Sequence, residues 1–450
     1  MTRFDVIVVG AGPAGEHCAG RLADGGLRVA IVERELVGGE CDYWACIPSK
    51  TLLRPGEALQ EAREAPGAAE AVSGGVRSEG AFGWRDFMVG NYEDGAKAAY
   101  LESQGIEVLR GSARLAGPGR VEVGDETHSA EHVVLATGSE PVFPPVPGLR
   151  ELDGVWTNRE VTALTDVPRR LLVLGGGPVG VEMAQAVSRL GASVALVEGM
   201  DHVLPREPKP LGDALGSALA ADGIELHLGE HASGARRDGD EYVVEFAGRD
   251  DLRADRLLVA TGRRPRVDGL GLDAVGVEPT KQGVPVDERM RVADGLWAIG
   301  DATGIGPLTY MGKYQGRVAA ANILGGDRTA NYEAVPRVVF TDPQAASVGE
   351  PEGALSATVP IAQVPRMSTF TRAYADSPGF MTLVSDGERL TGAYALGPEA
   401  GEWLQQATVA IRARVPLPVL FDVIQPFPTF SEAFLFTLSQ LEAQTGRSSR

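Results

Sequence analysis

Long apolar runs are missing from this sequence. The longest resemble Val6–Val9, so no stretch is expected to span a bilayer. Positive charge is also short: 42 Lys and Arg stand against 61 Asp and Glu, a formal charge of −19 that would repel nucleic acid and anionic membranes. Any anionic cofactor must then be held by backbone dipoles at defined loops, not by a general basic field. Only three cysteines occur in 450 residues, which excludes a disulfide scaffold and makes any close pair a matter of metal or redox chemistry. Histidine is scarcer still in the second half, with none after His231. The amino terminus, MTRFDVIVVGAG, enters a strand at once and leaves no room for a signal peptide, so a cytoplasmic protein is expected.

The chain is too long for one core, and two to four domains are expected. Its first forty residues read as strand (Phe4–Val9), glycine turn (Gly10–Gly15), helix (Glu16–Ala23) and strand (Leu27–Val32), ending in Glu33. The same order returns about 165 residues later: Leu171–Leu174, Gly175–Gly180, Val181–Leu190, then Ser193–Val197 ending in Glu198. Two such units predict an α/β protein with two Rossmann-like dinucleotide-binding domains. Apolar strands at His132–Ala136 and Leu257–Ala260 run into Thr137-Gly138 and Thr261-Gly262, while Pro141–Gly148 and Arg263–Gly271 read as linkers. Beyond residue 333, strands such as Phe380–Val384 and Leu390–Leu396, a helix over Ala400–Arg412 and the Pro-punctuated Val415–Pro428 predict a separate α+β domain. The expected boundaries are 1–150 and 266–332 for the two parts of the first dinucleotide-binding domain, 151–265 for the second and 333–450 for the α+β domain.

In Gly10-x-Gly12-x-x-Gly15 the glycines allow a tight turn and close approach of a pyrophosphate to a helix N-terminus, and Glu33 can bind a ribose hydroxyl. Gly175-x-Gly177-x-x-Gly180 repeats the pattern with Glu198. A carboxylate there accepts from a 2′-hydroxyl and repels a 2′-phosphate, and no arginine follows until Arg206, so NADH is expected over NADPH. Cys41 and Cys46, with four residues between them, lie within disulfide reach if the intervening turn is distorted. A cysteine near a helix N-terminus has a lowered pKa and can serve as a thiolate. Metal binding lacks a second ligand pair and nearby histidines, so no metal is expected. Cys18, on the first helix, reads as a buried small hydrophobe.

The segment Gly38-Gly39-Glu40-Cys41-Asp42-Tyr43-Trp44-Ala45-Cys46-Ile47-Pro48-Ser49-Lys50 resembles the redox-active signature of the class I pyridine nucleotide–disulfide oxidoreductases. So do Ala136-Thr137-Gly138, Ala260-Thr261-Gly262-Arg263-Arg264-Pro265, Trp297-Ala298-Ile299-Gly300-Asp301 and Phe340-Thr341-Asp342-Pro343. The resemblance implies a relay in which NADH reduces FAD and FAD reduces a Cys41–Cys46 disulfide. Cys46 would lie against the isoalloxazine as the charge-transfer thiol and Cys41 would be the exposed interchange thiol. It also implies a Lys50–Glu182 ion pair near flavin N5, Asp301 on the ribitol, Arg34, Thr137, Gly138 and Gly300 in the FAD site, Gly262 in the NAD site, and a homodimer whose partner's C-terminal domain completes the active site.

Disulfide-reducing members of that family carry a His-Pro near the C-terminus, with a Glu five residues after the His. Here the stretch is Gln425-Pro426-Phe427-Pro428-Thr429-Phe430-Ser431-Glu432, with Phe427 at the His position. Losing a general acid–base typically costs about 10²–10⁴ in rate, so an ordinary dihydrolipoamide or glutathione-type reaction is not expected. Mercuric reductases also lack this His, but their vicinal C-terminal cysteines are absent from Gln444–Arg450, and their amino-terminal metal-binding domain is not expected here. A disulfide or other small acceptor is therefore expected, with a metal-ion reductase or a quinone or dye reductase as alternatives and a lipoyl protein left open as acceptor. Glu40 adds an anion beside Cys41, Tyr43 and Trp44 read as packing, and Tyr310 is a candidate proton donor near the flavin.

Overall fold

The computed structural model describes residues 2–370 and 379–445, so the tail named above lies outside the described residues from Gly446 onward. It divides into two compact units: residues 1–48, 83–142 and 262–331, and residues 49–82, 143–261 and 332–450.

The first unit is built on an eight-stranded sheet. Its centre is parallel: Leu296–Ala298, Glu126–Leu135, Thr2–Val9, Val29–Glu33 and Ile106–Arg110 lie side by side, with Val6 opposite Val29 and Val9 opposite Leu135. Parallel strands covered on both faces need near-continuous apolar runs, and Val6–Val8, Val29–Ile31 and Val133–Leu135 are all buried. The first helix, Pro13–Asp24, begins earlier than its expected start at Glu16. Proline at the first helical position forfeits no hydrogen bond and already has a helical φ. Arg263–Gly271, expected as a linker, begins instead with a strand, Arg263–Pro265, paired antiparallel with Ser139–Pro141. The aliphatic signal of a strand is absent from Arg-Arg-Pro; side-chain hydrogen bonds from Arg263 to Ser139 hold the ribbon.

In the second unit a four-stranded parallel sheet runs Glu225–Leu228, Ser193–Glu198, Arg170–Leu174, Arg256–Val259. The helix Pro178–Arg189 packs on it and buries eight consecutive residues, Gly180 through Val187. A three-stranded antiparallel meander, Ala232–Asp238, Glu241–Phe246 and Leu252–Ala254, packs Tyr242 and Val244 into one core with Leu172, Leu174, Leu257 and Val259 of the parallel sheet. A five-stranded antiparallel sheet contains Phe380–Ser385 and Leu390–Gly397, where the sequence predicts strands. The helix expected over Ala400–Arg412 is present as Ala400–Trp403 and Gln405–Arg412. The same unit holds a partly buried polar knot: Arg189 bonds Asp222 at 2.7 Å and Asp342 at 2.8 Å, and Gln185 exchanges hydrogen bonds with the Asp342 backbone.

The two glycine turns repeat each other. Gly10 has φ +107 and Gly175 φ +108, and a β-carbon on either would lie 2.3 or 2.5 Å from the carbonyl oxygen of Ala136 or Ala260. Gly175→Ala therefore combines a forbidden φ with a backbone clash and is expected to cost at least about 2 kcal/mol, read as a lower urea midpoint at unchanged slope. Wild-type stability in this variant would remove the close approach from the account.

Candidate active site

Each glycine turn is completed by a carboxylate. Glu33, buried at the end of its strand, accepts from the N–H of Ala11 at 2.9 Å and of Glu35 at 2.8 Å. Glu198 accepts from Gly176 at 2.7 Å and Met200 at 2.9 Å. The third glycines, Gly15 and Gly180, lie so close to the first that a β-carbon would come within 1.9 Å of the Gly10 or Gly175 carbonyl oxygen. The second glycines differ: at Gly12 and Gly177 a β-carbon would meet nothing within 4 Å. Each turn thus presents open space at the start of a helix, with an acid within reach. That fits a dinucleotide pyrophosphate on helix N–H groups and a ribose on the acid.

The cysteine pair lies in the first unit. Gly38 and Gly39, at φ +115 and +61, turn the chain into the short helix Gly39–Tyr43, and Cys46 opens the long helix Cys46–Glu64. Both cysteines are thiols in this structure. One hydroxyl serves both: Thr309 Oγ1 lies 3.3 Å from Cys41 Sγ and 3.3 Å from Cys46 Sγ. The expected lowering of thiol pKa does not hold for Cys41. Its hydrogen bond with Cys46 and then burial raise it, against the Thr309 hydroxyl and the Lys313 charge, which lower it. The Cys46 hydrogen bond and burial outweigh what the place of Cys41 in the first turn of Gly39–Tyr43 could lower.

Tyr43 is buried, donates to Val37 O at 3.0 Å and packs against Trp44, so the packing reading of the two aromatics holds. Cys18 is fully buried and its thiol is pushed up to about 12 by burial. Glu40 is not an isolated anion beside Cys41: it is held by Arg263 at 3.4 Å and Arg266 at 3.2 Å. Asp301 accepts from Ser139 Oγ at 2.6 Å, and burial raises its carboxyl above the usual range. Thr137 Oγ1 donates to Arg266 O at 2.6 Å, and Gly138, at φ +72, accepts from Arg266 N. Gly300 donates its N–H to the buried Gln315 Oε1 at 2.6 Å. Arg34 is exposed and paired with Glu35 at 3.6 Å. Tyr310 is exposed; its neighbour Thr309 is the residue at the sulfurs.

In the second unit Lys50 Nζ lies 2.7 Å from Glu182 Oε2 and 4.7 Å from the Phe340 ring centroid. Glu182 is only 4% exposed, and its other oxygen accepts from Phe340 N at 2.9 Å. Gly262, at φ +122, belongs to the first unit, whereas Gly175, Gly177 and Gly180 belong to the second. Phe427 is 73% exposed. Glu432 is buried and turned to a local task, accepting from Thr429 N at 3.2 Å while its own N–H donates to Thr429 O. Among the described residues no cluster of three or more His, Cys, Asp or Glu is arranged to hold a metal ion, and no helix is long and apolar enough to cross a membrane.

Residues 4–322 match the family model for pyridine nucleotide-disulphide oxidoreductase, and residues 335–436 match the dimerisation domain of that family. The chain belongs to this family. It is 35% identical to a dihydrolipoyl dehydrogenase of Thermus scotoductus, over 99% of this chain and 98% of that one. It is also 35% identical to a mercuric reductase of Shigella flexneri, over 98% and 80%. Among solved structures it resembles the Cu(II) complex of the HOCl-induced flavoprotein disulfide reductase RclA from Escherichia coli, with TM-score 0.86 and 25% identity over 98% of this chain and 100% of that one. LpdA from Mycobacterium tuberculosis gives TM-score 0.85 and 25% identity over the same shares. This chain is accordingly a flavoprotein oxidoreductase, of a family whose cofactors are FAD and NAD(P)H.

Two residues at the thiols were not legible in the sequence as site residues. Thr309 begins a helix, where a threonine ordinarily reads as a cap, and Lys313 follows one turn later. In the reduced protein, Thr309→Val is expected to slow iodoacetamide capture of Cys41 about fivefold by removing a hydrogen bond that favours the thiolate. Cys46→Ala is expected to speed capture at the same pH, because the largest upward influence on Cys41 is lost. Equal rates in both variants would show that neither neighbour sets the Cys41 pKa.

Proposed function

We propose that Cys41 and Cys46 are the redox centre through which this enzyme passes two electrons from NADH, by way of FAD, to a disulfide or another small acceptor. The observation that carries the reading is the pair of sulfurs held by one hydroxyl in the unit that bears the first glycine turn. When bound, FAD supplies the exchange of an electron pair between a nicotinamide and a dithiol. Residues 1–150 and 266–332 form the FAD-binding domain, with Gly10, Gly12, Gly15, Glu33, Arg34, Thr137, Gly138, Gly300 and Asp301. Residues 151–265 form the NAD(H)-binding domain, with Gly175, Gly177, Gly180, Glu198 and Gly262, and Glu198 selects NADH over NADPH by repelling a 2′-phosphate. Lys50 places a cation that favours reduced anionic flavin, and Glu182 moderates that charge.

Cys41 is the interchange thiol. Its sulfur attacks the acceptor disulfide, one acceptor thiol leaves, and Cys46 then displaces the second as the Cys41–Cys46 bond forms. The leaving thiol needs a proton, and Phe427 has none to give, so acceptors whose leaving groups need little protonation are favoured. Residues 333–450 form the interface of a homodimer, a reading supported by the exposed Ile424, 94% accessible, and by Val419, Val423 and Phe427 around it. The partner's C-terminal domain completes the active site, and the enzyme is cytoplasmic. A second reading, reduction of a metal ion bound as substrate, draws support from the missing proton donor, from relatives named mercuric reductase and from the Cu(II) complex of RclA.

Cys41→Ser is expected to abolish disulfide and metal-ion reduction while sparing NADH oxidation by a quinone. Retained disulfide reduction would sink the thiol relay. Installing the missing base, Phe427→His, is expected to raise disulfide turnover by about two orders of magnitude, the low end of the range of about 10²–10⁴ for a general acid–base, and to introduce a titration near neutral pH. An unchanged rate and a flat pH profile would count against this account of the site. Glu198→Ala is expected to erode the preference for NADH, and an unaltered ratio of kcat/KM for the two nucleotides would overturn that assignment.

A further inference from the structure

The two glycines before Glu40 are tied into the dinucleotide loop. Gly38 N donates to Ala11 O at 2.8 Å, and a β-carbon on Gly39 would lie 2.9 Å from Gly12 Cα. Glu40 follows directly in the chain. It is only 18% exposed and is gripped from two sides, by Arg263 Nη2 at 3.4 Å and Arg266 Nη2 at 3.2 Å. Arg263 also donates to Ser139 Oγ at 2.8 Å, and Ser139 donates to Asp301 at 2.6 Å. Asp301 registers the cluster: the Glu40 charge raises its pKa, and both arginines lower it. Glu40 is not among the leading influences on Cys41.

Arg266 is incompletely satisfied. Its buried Nε finds no hydrogen-bond partner among the described residues. The nearest acid on that side, Glu140, is 3.7 Å away and is already paired with Arg264 at 2.5 Å. Two guanidiniums with one carboxylate between them make an anion receptor that the chain fills from within. We propose that Glu40 is a resident counter-anion, occupying Arg263 and Arg266 in competition with the pyrophosphate of FAD and thereby weakening flavin retention. Replacing the carboxylate raises the charge of this three-residue cluster from +1 to +2 and leaves both arginines available to phosphate oxygens. The inference rests on assigning the Gly10–Gly15 turn to FAD, and a separate variant tests that assignment.

Apo-protein prepared from the full-length flavoprotein and titrated with FAD by fluorescence quenching gives the decisive numbers. Glu40→Gln and Glu40→Thr are each expected to lower the FAD Kd about tenfold, the scale of one charge-assisted contact. Inorganic pyrophosphate alone is expected to raise the melting temperature of apo-Glu40→Gln more than that of wild type. That excess should vanish when Arg266→Gln is added. Kd values equal to or weaker than wild type in both Glu40 variants would overturn the proposal. Gly12→Glu, which fills the open space with an anion, is expected to abolish FAD binding. Undiminished binding in that variant would remove the loop assignment itself, a result distinct from failure of the Glu40 inference.

Discussion

At Gly10 and Gly175 the backbone passes so close to the carbonyl at the end of a neighbouring strand that no β-carbon fits, and much of the architecture depends on that approach. It lets the following helix start directly beneath the strand ends, which directs its first N–H groups at open space above the second glycine. The third glycine returns to touch the first, so the turn is rigid on both sides. The carboxylate ending the next strand then reaches back to an N–H inside the turn, in one unit from Glu33 and in the other from Glu198. The same constraint is solved twice, with φ values that differ by one degree.

A chain of formal charge −19 that takes anionic cofactors has to make its binding free energy locally. Helix termini suit one part of that task, and in the proposal for Glu40 a small arginine cluster takes another. The polar groups of this protein are arranged to match: acids near the sites are matched with cations or backbone donors, as Glu182 is with Lys50 and Phe340 N. An unpaired carboxylate at those positions would repel a pyrophosphate, whereas a carboxylate already held by a guanidinium adjusts affinity without forbidding it.

The parallel cores were legible in the sequence because their strands are continuous apolar runs and their turns carry glycines at fixed offsets. The cysteine pair was legible for the same reason, since residue types and spacing were both unusual. Lys50 and Glu182, 132 positions apart, came from the family resemblance alone, and the structure brings them to 2.7 Å. What stayed hidden was set by contacts between residues with ordinary local roles. Thr309 reads as a helix-start threonine, and the Arg263–Pro265 strand lacks the aliphatic pattern of a strand. Glu40 looked like an anion acting on Cys41 because the two are adjacent in sequence. Two arginines more than 220 residues away redirect it toward Asp301. The Cys46 hydrogen bond and the burial that raise the Cys41 pKa are likewise contacts that residue spacing does not display.

In the proposed function the thiol pair is the electron outlet, and Phe427 in place of a base limits the acceptors that can use it. That argument depends on the sulfurs being in electronic communication with the flavin. The most direct test is an anaerobic titration of the oxidised flavoprotein with NADH, followed by visible absorption. A long-wavelength charge-transfer band that grows before the flavin bleaches, with more than one equivalent of NADH consumed, is the expected result. Immediate bleaching complete at a single equivalent would show that Cys41 and Cys46 take no electrons, and would contradict the relay.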